Sequence, residues 1–216
     1  QHSQKPEEMS MGAFKAYDIR GIYNVDFNRD TVYKIGFFLP RLLNCSAVLV
    51  GRDVRLSSPE IHDALISGIT DAGCDVHDLG LCTTPMVYYA TKYYGADASV
   101  QITASHNPPQ YNGLKISRRD ALPVGGETGL KDLEKLVNEE KAVPVQNKGK
   151  VEDYSSFRKI YVDYQRHFVP DLSDLKITID TSNGMSALVI KDILSDWNDI
   201  KYINDTLDGS FPSHEP

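Results

Sequence analysis

The stretch ASVQITASHNPPQYNGLKIS, residues 98–117, joins two strand patterns through one polar loop. Residues 98–104 are mostly apolar or β-branched, as in a buried strand, and residues 113–117 predict a second short strand. Between the two, a serine and a histidine precede a pair of prolines, whose fixed backbone angles limit loop motion. The stretch therefore predicts a rigid loop that presents Ser105 and His106 at the carboxyl end of a buried strand.

Strand and helix patterns also alternate before this stretch. Residues 47–51, AVLVG, form a short apolar run typical of a buried strand, and residues 55–73 show a helix pattern with Pro59 in its first turn. Residues 74–80 predict another strand, and residues 85–95 another helix. The alternation predicts an α/β domain with a mixed or parallel sheet flanked by helices, in which ligands bind at the carboxyl ends of strands.

The second half of the chain shows fewer regular elements. Residues 129–140 predict a helix, and residues 141–150, KAVPVQNKGK, a polar linker. Beyond the linker we expect one strand, 175–180, between two helices, 154–168 and 185–197. One strand is too few for an independent sheet, so this part is expected to be an incomplete second domain.

Composition argues against several classes of partner. The chain has 23 Lys and Arg against 30 Asp and Glu, a formal charge of -7, which disfavours binding to nucleic acid or to an anionic membrane. No apolar run approaches the roughly 20 residues that span a bilayer. The three cysteines follow no metal-ligand spacing, so we expect reduced thiols and a cytoplasmic protein. Any anionic ligand must be held by locally placed positive groups.

Taken by itself, Ser105 has three candidate roles. As a structural residue, the commonest role in such a loop, it would shape a turn by hydrogen bonding the local backbone. As a hydrolase nucleophile it would need a base and an oxyanion hole, but the sequence contains no G-x-S-x-G elbow and His106 would point to the opposite face. As a phosphate carrier it would need nearby cations, and Lys115, Arg20 and Arg52 lie in segments that can converge on it.

Three ordered segments together resemble one enzyme family. TASHNPPQYNGLKI, residues 103–116, resembles the phosphoserine signature of the α-D-phosphohexomutase superfamily, in the variant of its phosphomannomutase/phosphoglucomutase branch. FKAYDIRGIYN, residues 14–24, is similar to the amino-terminal active-site loop of that branch, and GRDVRLSSPE, residues 51–60, to its next motif. The similarity continues into the segments IDTSNGMSA and DGSFPSHEP, near the end of the chain.

The resemblance implies a domain order. Members of the family have four domains around a central cleft, so residues 13–147 would be the first, phosphoserine-bearing domain and residues 148–216 the opening of a second, similar domain. Residues 1–12 are expected to be a loose tail. The missing carboxy-terminal domains are the expected partners of this chain, and without them the chain is expected to be nearly inactive as a mutase.

The resemblance also implies roles for single residues. Phosphorylated Ser105 would donate its phosphoryl group to a hexose monophosphate and then recover the other phosphate of the bisphosphorylated sugar, which moves phosphate between the 1 and 6 positions. His106 and Lys115 would join Ser105 as catalytic residues, with Lys115 transferring the proton of the sugar hydroxyl. The residues expected to bind substrate are Tyr17, Arg20 and Asn107. The residues expected to support the site are Arg52 and Asp53.

The implied cofactor is Mg²⁺, with glucose 1,6-bisphosphate or mannose 1,6-bisphosphate as activator and hexose phosphates as substrates. In the family a three-aspartate loop and the phosphoserine hold the metal. NDTLDG, residues 204–209, does not fit that loop and is interpreted as a surface turn, which leaves Ser105 as the expected metal ligand of this chain. The alternative function is a non-catalytic domain that keeps the phosphoserine scaffold and binds only a sugar phosphate or a partner.

Overall fold

The structure is a computed structural model that describes residues 12–216, so the predicted tail lies outside the described residues apart from Gly12. The strands are β1 (Ile19–Ile22), β2 (Ala47–Arg52), β3 (Asp75–Leu81), β4 (Ala98–Ile102), β5 (Tyr111–Arg118), β6 (Leu122–Pro123), β7 (Val151–Asp153), β8 (Ile177–Asp180) and β9 (Ile200–Ile203). The α-helices are α1 (Arg29–Leu43), α2 (Ser58–Asp71), α3 (Thr84–Tyr93), α4 (Leu130–Glu139), α5 (Phe157–Arg166) and α6 (Ile190–Ile193). In the described range, none of them is long and apolar enough to cross a membrane.

Most strands belong to one mixed sheet with the order β1-β5-β4-β2-β3-β7, and β6 pairs with β5. The neighbours β4, β2, β3 and β7 are parallel, whereas β5 is antiparallel to both β1 and β4. The prediction of a mixed sheet flanked by helices is confirmed. Residues 98–117 supply β4 and most of β5, so the loop with Ser105 joins two adjacent strands inside the sheet.

Helices cover both faces of this sheet. Along β2, Val48 and Val50 pack in a core with α1, α2 and α4, whereas Leu49 between them packs in a second core with α3 and α5. This alternation follows from the strand geometry, in which successive side chains point to opposite faces. The continuous apolar run AVLV is therefore explained by burial on both sides.

Five elements are missing from the sequence-based prediction, namely β1, α1, β6, β7 and β9. The start of α1 is capped by Asn28, whose side chain accepts a hydrogen bond from the N–H of Thr31 at 3.0 Å. The helix also contains Pro40, a residue that usually ends a helical pattern. The strand β9 pairs with β8 in a separate parallel sheet, and β7 joins the first sheet. The described chain beyond residue 150 therefore has three strands rather than the one predicted.

The continuous helix predicted over residues 185–197 is wrong. The chain forms a short 3-10 turn, Met185–Leu188, followed by the one-turn helix α6. Between them Val189 has a φ of -128°, outside the helical range, and its side chain is buried in the second core.

The polar segment 141–150 is fastened to the first sheet. The N–H of Val145 donates to the carbonyl of Asp71, and the Lys148 ammonium lies 2.7 Å from the Asp71 carboxylate. The next residues form β7, which extends the sheet beside β3. The first sheet thus continues past residue 147, and the division into two domains at that residue remains a prediction.

Two glycines allow α1 and α2 to pack closely. A Cβ atom on Gly36 would lie 2.3 Å from the carbonyl oxygen of Leu65, and a Cβ on Gly68 would lie 2.0 Å from that of Tyr33. Both distances are far below van der Waals contact, and both obstacles are backbone atoms. The helices can therefore keep this separation only with glycine at these positions.

We expect Gly68→Ala to lower the free energy of unfolding by about 1–3 kcal/mol, because the added methyl must separate α1 from α2. Urea denaturation measures the change. The matched control is Gly126→Ala, since a Cβ there would lie an ordinary 3.7 Å from its nearest neighbour, the carbonyl oxygen of Ala16. Equal losses in the two variants would contradict the packing argument.

A histidine and a carboxylate link α2 to β3. The Nε2 atom of His62 lies 3.0 Å from Oδ2 of Asp78. Burial lowers the pKa of His62, but the hydrogen bond and charge of Asp78, helped by Asp63 and opposed by Arg52, shift the pKa upward overall. Burial raises the pKa of Asp78, yet its hydrogen bonds from His62 and the Gly80 backbone shift that pKa downward overall.

The raised pKa of His62 makes its stabilising effect depend on pH. The contribution is complete below the unfolded pKa of about 6.5 and is lost as the pH rises through the higher folded pKa. We therefore expect His62→Gln to reduce the free energy of unfolding more at about pH 5.5 than at about pH 9. Urea denaturation at both pH values tests this, and an equal reduction at both would contradict it.

Candidate active site

Ser105 lies just beyond β4, at the carboxyl end of the strand. Its φ of 56° is in the left-handed region, which residues other than glycine seldom adopt. The N–H of Ser105 donates to Oγ1 of Thr103 at 3.0 Å, and the N–H of Asn107 donates to the carbonyl of Ala104 at 3.1 Å. These bonds form a tight turn on which Ser105 and His106 are both exposed.

A buried arginine holds this loop through its backbone. The Arg55 side chain, which comes from the loop after β2, has no exposed surface. Its Nη1 and Nη2 atoms donate to four carbonyl oxygens of the Ser105 loop. These belong to Pro108 at 2.7 Å, Tyr111 at 3.1 Å, Ser105 at 2.9 Å and Asn107 at 2.7 Å. Sequence-based reasoning missed Arg55, although GRDVR places this second arginine two residues after Asp53.

Asp53 supports Arg55 in turn. Its Oδ1 accepts hydrogen bonds from the Arg55 N–H at 3.0 Å and from the Ser58 hydroxyl at 2.6 Å, while Oδ2 lies 3.2 Å from Nε of Arg55. Burial lowers the pKa of Arg55, and the opposite charge of Asp53 counteracts part of this effect. A charge so far from water is tolerated because it is paired and hydrogen-bonded. Asp53 therefore lies where support of the site was predicted.

Arg52, predicted to support the site with Asp53, points elsewhere. Its Nη1 donates to the carbonyl of Asp53 at 3.3 Å, and its charge acts on His62 and Asp78. Arg52 is not among the residues that line the cavity at Ser105.

Positive groups gather on the β1–β5 side of the loop. Nη1 of Arg20 donates to Oδ1 of Asn107 at 2.9 Å, and its Nη2 donates to Oδ2 of Asp18 at 2.6 Å. The same Asp18 oxygen lies 3.5 Å from Nζ of Lys115. The structure thus brings together Arg20, Asn107 and Lys115, as predicted, and joins them through Asp18, which sequence reasoning missed although it stands within YDIRG.

Tyr17 lies apart from these residues. Its side chain is 82% exposed and lines a different cavity, of about 650 Å³, together with Phe14 and Lys131. A substrate-binding role for Tyr17 remains a prediction.

The cavity at Ser105, about 320 Å³, has walls from both halves of the chain. Ser105, His106 and the loop after β2 form one side. The residues on the other side are Gly184, Met185, Ser186, Phe211 and Pro216. Arg55 fixes part of this second wall, since it forms a β-bridge with Gly209 and its guanidinium lies 5.2 Å from the centre of the Phe211 ring.

Gly209 is buried, so the interpretation of NDTLDG, residues 204–209, as a surface turn is wrong at that residue.

The residues at Ser105 do not form a complete metal site. Among residues 12–216 no three His, Cys, Asp or Glu side chains are grouped for a metal ion. Asp53 lines the cavity, but both of its carboxylate oxygens are engaged by Arg55 and Ser58. Mg²⁺ prefers octahedral oxygen ligands, of which a phosphoserine at position 105 would supply one.

We expect Arg55→Met to lower the free energy of unfolding by about 3–5 kcal/mol, because Asp53 would keep a buried charge and four carbonyls would each lose one hydrogen-bond donor. The control is Arg52→Met, which removes one long hydrogen bond to a backbone carbonyl and should lower the free energy of unfolding by about 1 kcal/mol or less. Urea denaturation gives the stability, and amide exchange of residues 103–111 reports whether the loop loosens. Unchanged loop exchange in a folded Arg55→Met chain would contradict the assignment.

Comparisons with known proteins agree with this geometry. The family model described as phosphoglucomutase/phosphomannomutase, alpha/beta/alpha domain I, matches residues 11–143. A phosphomannomutase from Escherichia coli is 40% identical over 186 residues, which cover 83% of this chain and 40% of that protein. One from Klebsiella pneumoniae is 43% identical over 152 residues, covering 69% of this chain and 96% of that protein.

A solved structure has the same fold. It is a phosphoglucomutase/phosphomannomutase family protein from Burkholderia thailandensis, with a TM-score of 0.85 and 30% identity, covering 96% of this chain and 47% of that one. The fold and the matches define an α/β/α phosphohexomutase domain with additional residues at its carboxyl end. The chain belongs to the phosphoglucomutase/phosphomannomutase family, and it spans less than half the length of the Escherichia coli and Burkholderia relatives.

Proposed function

We propose that this chain supplies the phosphoserine part of a phosphohexomutase, which interconverts hexose 1-phosphates and 6-phosphates. The observation that carries the proposal is the position of Ser105. The residue is exposed at the tip of a loop whose backbone is bonded to buried Arg55, and it lines a cavity beside a cluster of positive groups. A loop fixed in this way can hold a phosphoryl group in line with an acceptor hydroxyl at little entropic cost.

The reaction would begin with phosphoserine at position 105. A sugar hydroxyl oxygen attacks the phosphorus, the bond between phosphorus and Oγ of Ser105 breaks, and the sugar becomes a bisphosphate. Lys115 is the proposed acceptor of the hydroxyl proton, and His106, exposed beside Ser105, a further proton partner. The reverse step at the other sugar phosphate restores phosphoserine, so phosphate moves between the two positions.

Arg20 and Asn107 are the proposed contacts for the anionic substrate, with Tyr17 as a further one. Arg20 and Asn107 are already held together at 2.9 Å, so their donors are oriented before a ligand arrives. In a chain with a formal charge of -7, such local placement of cations is what can attract a hexose phosphate.

The proposed cofactor is Mg²⁺, which when bound would neutralise charge on the transferring phosphoryl group. Glucose 1,6-bisphosphate or mannose 1,6-bisphosphate is the proposed source of the phosphoryl group. The other metal ligands are proposed to come from carboxy-terminal domains, so low mutase activity of the 216-residue chain stays a prediction. We propose a cytoplasmic location, without nucleic acid or membrane partners.

The chain is expected to take up one phosphoryl group from glucose 1,6-bisphosphate in the presence of Mg²⁺, and Ser105→Ala is expected to abolish the uptake. Intact mass measures the uptake, and peptide mapping locates it. Ser155→Ala, an exposed serine outside the Ser105 cavity, is the matched control and should retain full uptake. Phosphate on another residue, or uptake that persists in Ser105→Ala, would contradict the proposal. No uptake by any of the three chains would mean that transfer to Ser105 needs the metal ligands of the carboxy-terminal domains.

A further inference from the structure

Two of the three free cysteines, Cys45 and Cys74, are neighbours at the amino ends of β2 and β3. Ser105 lies at the opposite, carboxyl ends of the parallel strands. Cys45 follows α1, and Cys74 directly precedes β3. The two chain segments run together from here, because β2 and β3 are parallel and the N–H of Asp75 donates to the carbonyl of Ser46 at 2.9 Å. The thiol of Cys74 donates to the carbonyl oxygen of Cys45, with Sγ 3.6 Å from that oxygen.

The spacing of the two segments suits a covalent bond. Neighbouring strands lie about 4.8 Å apart, and the Cα atoms of disulfide partners lie about 4.4–6.8 Å apart. Ala47 and Asp75 are partners in the β2–β3 register, so Cys74 lies opposite Ser46, one residue away from Cys45 along the neighbouring segment. The contact of the Cys74 sulfur with the Cys45 carbonyl shows that the two cysteines are neighbours across this step.

The two thiols differ in exposure and acidity. Cys45 is partly exposed, whereas Cys74 is buried. The hydrogen bond from Cys74 lowers the pKa of Cys45 and outweighs the opposite effect of burial. The same hydrogen bond and burial raise the pKa of Cys74 well above its usual range. Since the thiolate is the nucleophile, Cys45 is the sulfur that an external reagent meets first.

We propose that Cys45 and Cys74 form a redox-active dithiol that a small-molecule disulfide oxidises to an intrachain disulfide, with Cys45 as the attacking and Cys74 as the resolving thiol. The Cys45 thiolate attacks one sulfur of the reagent and expels one thiolate. Cys74 then loses its proton to solvent, its sulfur attacks that of Cys45, and the second thiolate leaves. Two protein thiols are oxidised, and one reagent disulfide is reduced to two thiols.

The bond would enclose residues 45–74, which include β2, α2 and the GRDVR segment that holds the Ser105 loop. A cross-link restricts the unfolded chain more than the folded one, so the oxidised form should be more stable. Cys82 provides an internal comparison. It is buried in the core on the other face of the sheet, and burial raises its pKa to about 12.

The test is to incubate the 216-residue chain with oxidised glutathione and follow its intact mass. We expect the loss of two hydrogen atoms, a cross-linked peptide pair containing Cys45 and Cys74, reversal by dithiothreitol, and a rise in Tm of about 5 °C or more. Cys82→Ser is the matched control and should behave like the unsubstituted chain.

The two other variants assign the roles. Cys74→Ser, or Cys74→Ala if the serine destabilises the fold, should stop at one glutathione on Cys45, because the resolving thiol is gone. Cys45→Ser should gain neither glutathione nor a disulfide. The proposal is overturned if the unsubstituted chain keeps three free thiols, if it retains glutathione on Cys45, or if Cys74 or Cys82 reacts first.

Discussion

Arg55 puts a guanidinium group where water does not reach it, and four carbonyl oxygens of the Ser105 loop accept its hydrogen bonds. A buried charge without partners would be too costly, so the loop must bring these carbonyls to it. Because Arg55 contacts only the backbone of the loop, the side chains of Ser105 and His106 remain exposed to the cavity. A left-handed φ at Ser105 is tolerated in this surrounding network.

The same guanidinium connects the two halves of the chain. On one side the guanidinium holds the loop between β4 and β5, and on the other it lies 5.2 Å from the centre of the Phe211 ring. The backbone of Arg55 also forms a β-bridge with Gly209. The final segment is fastened again at His214, whose Nε2 lies 2.9 Å from Oδ2 of Asp180. Hydrogen bonds from the Ser182 backbone, His214 and Asn204 lower the pKa of Asp180 to about 2, so the carboxylate is charged at neutral pH. The wall facing Ser105 is thus attached at both ends.

In this acidic chain, an aspartate holds two positively charged side chains in place near Ser105. Asp18 lies between Arg20 and Lys115 and holds both cations on the β1–β5 side of the Ser105 loop. The carboxylate reduces the net charge of the cluster, but it also orders two flexible side chains in advance. For the proposed function, the placement of these cations therefore matters more than the total charge of the chain.

The sequence by itself determined the alternating strands and helices from β2 to β5, the rigid turn at Ser105 and the family, because these depend on residues close together along the chain. Tertiary structure decided the rest. It chose Arg55 over Arg52 as the support of the loop, introduced Asp18 into the cation cluster and placed Tyr17 at another cavity. A local pattern cannot predict such choices, because they depend on which groups from segments roughly 50 to 150 residues apart become buried together and must satisfy one another's hydrogen bonds and charges.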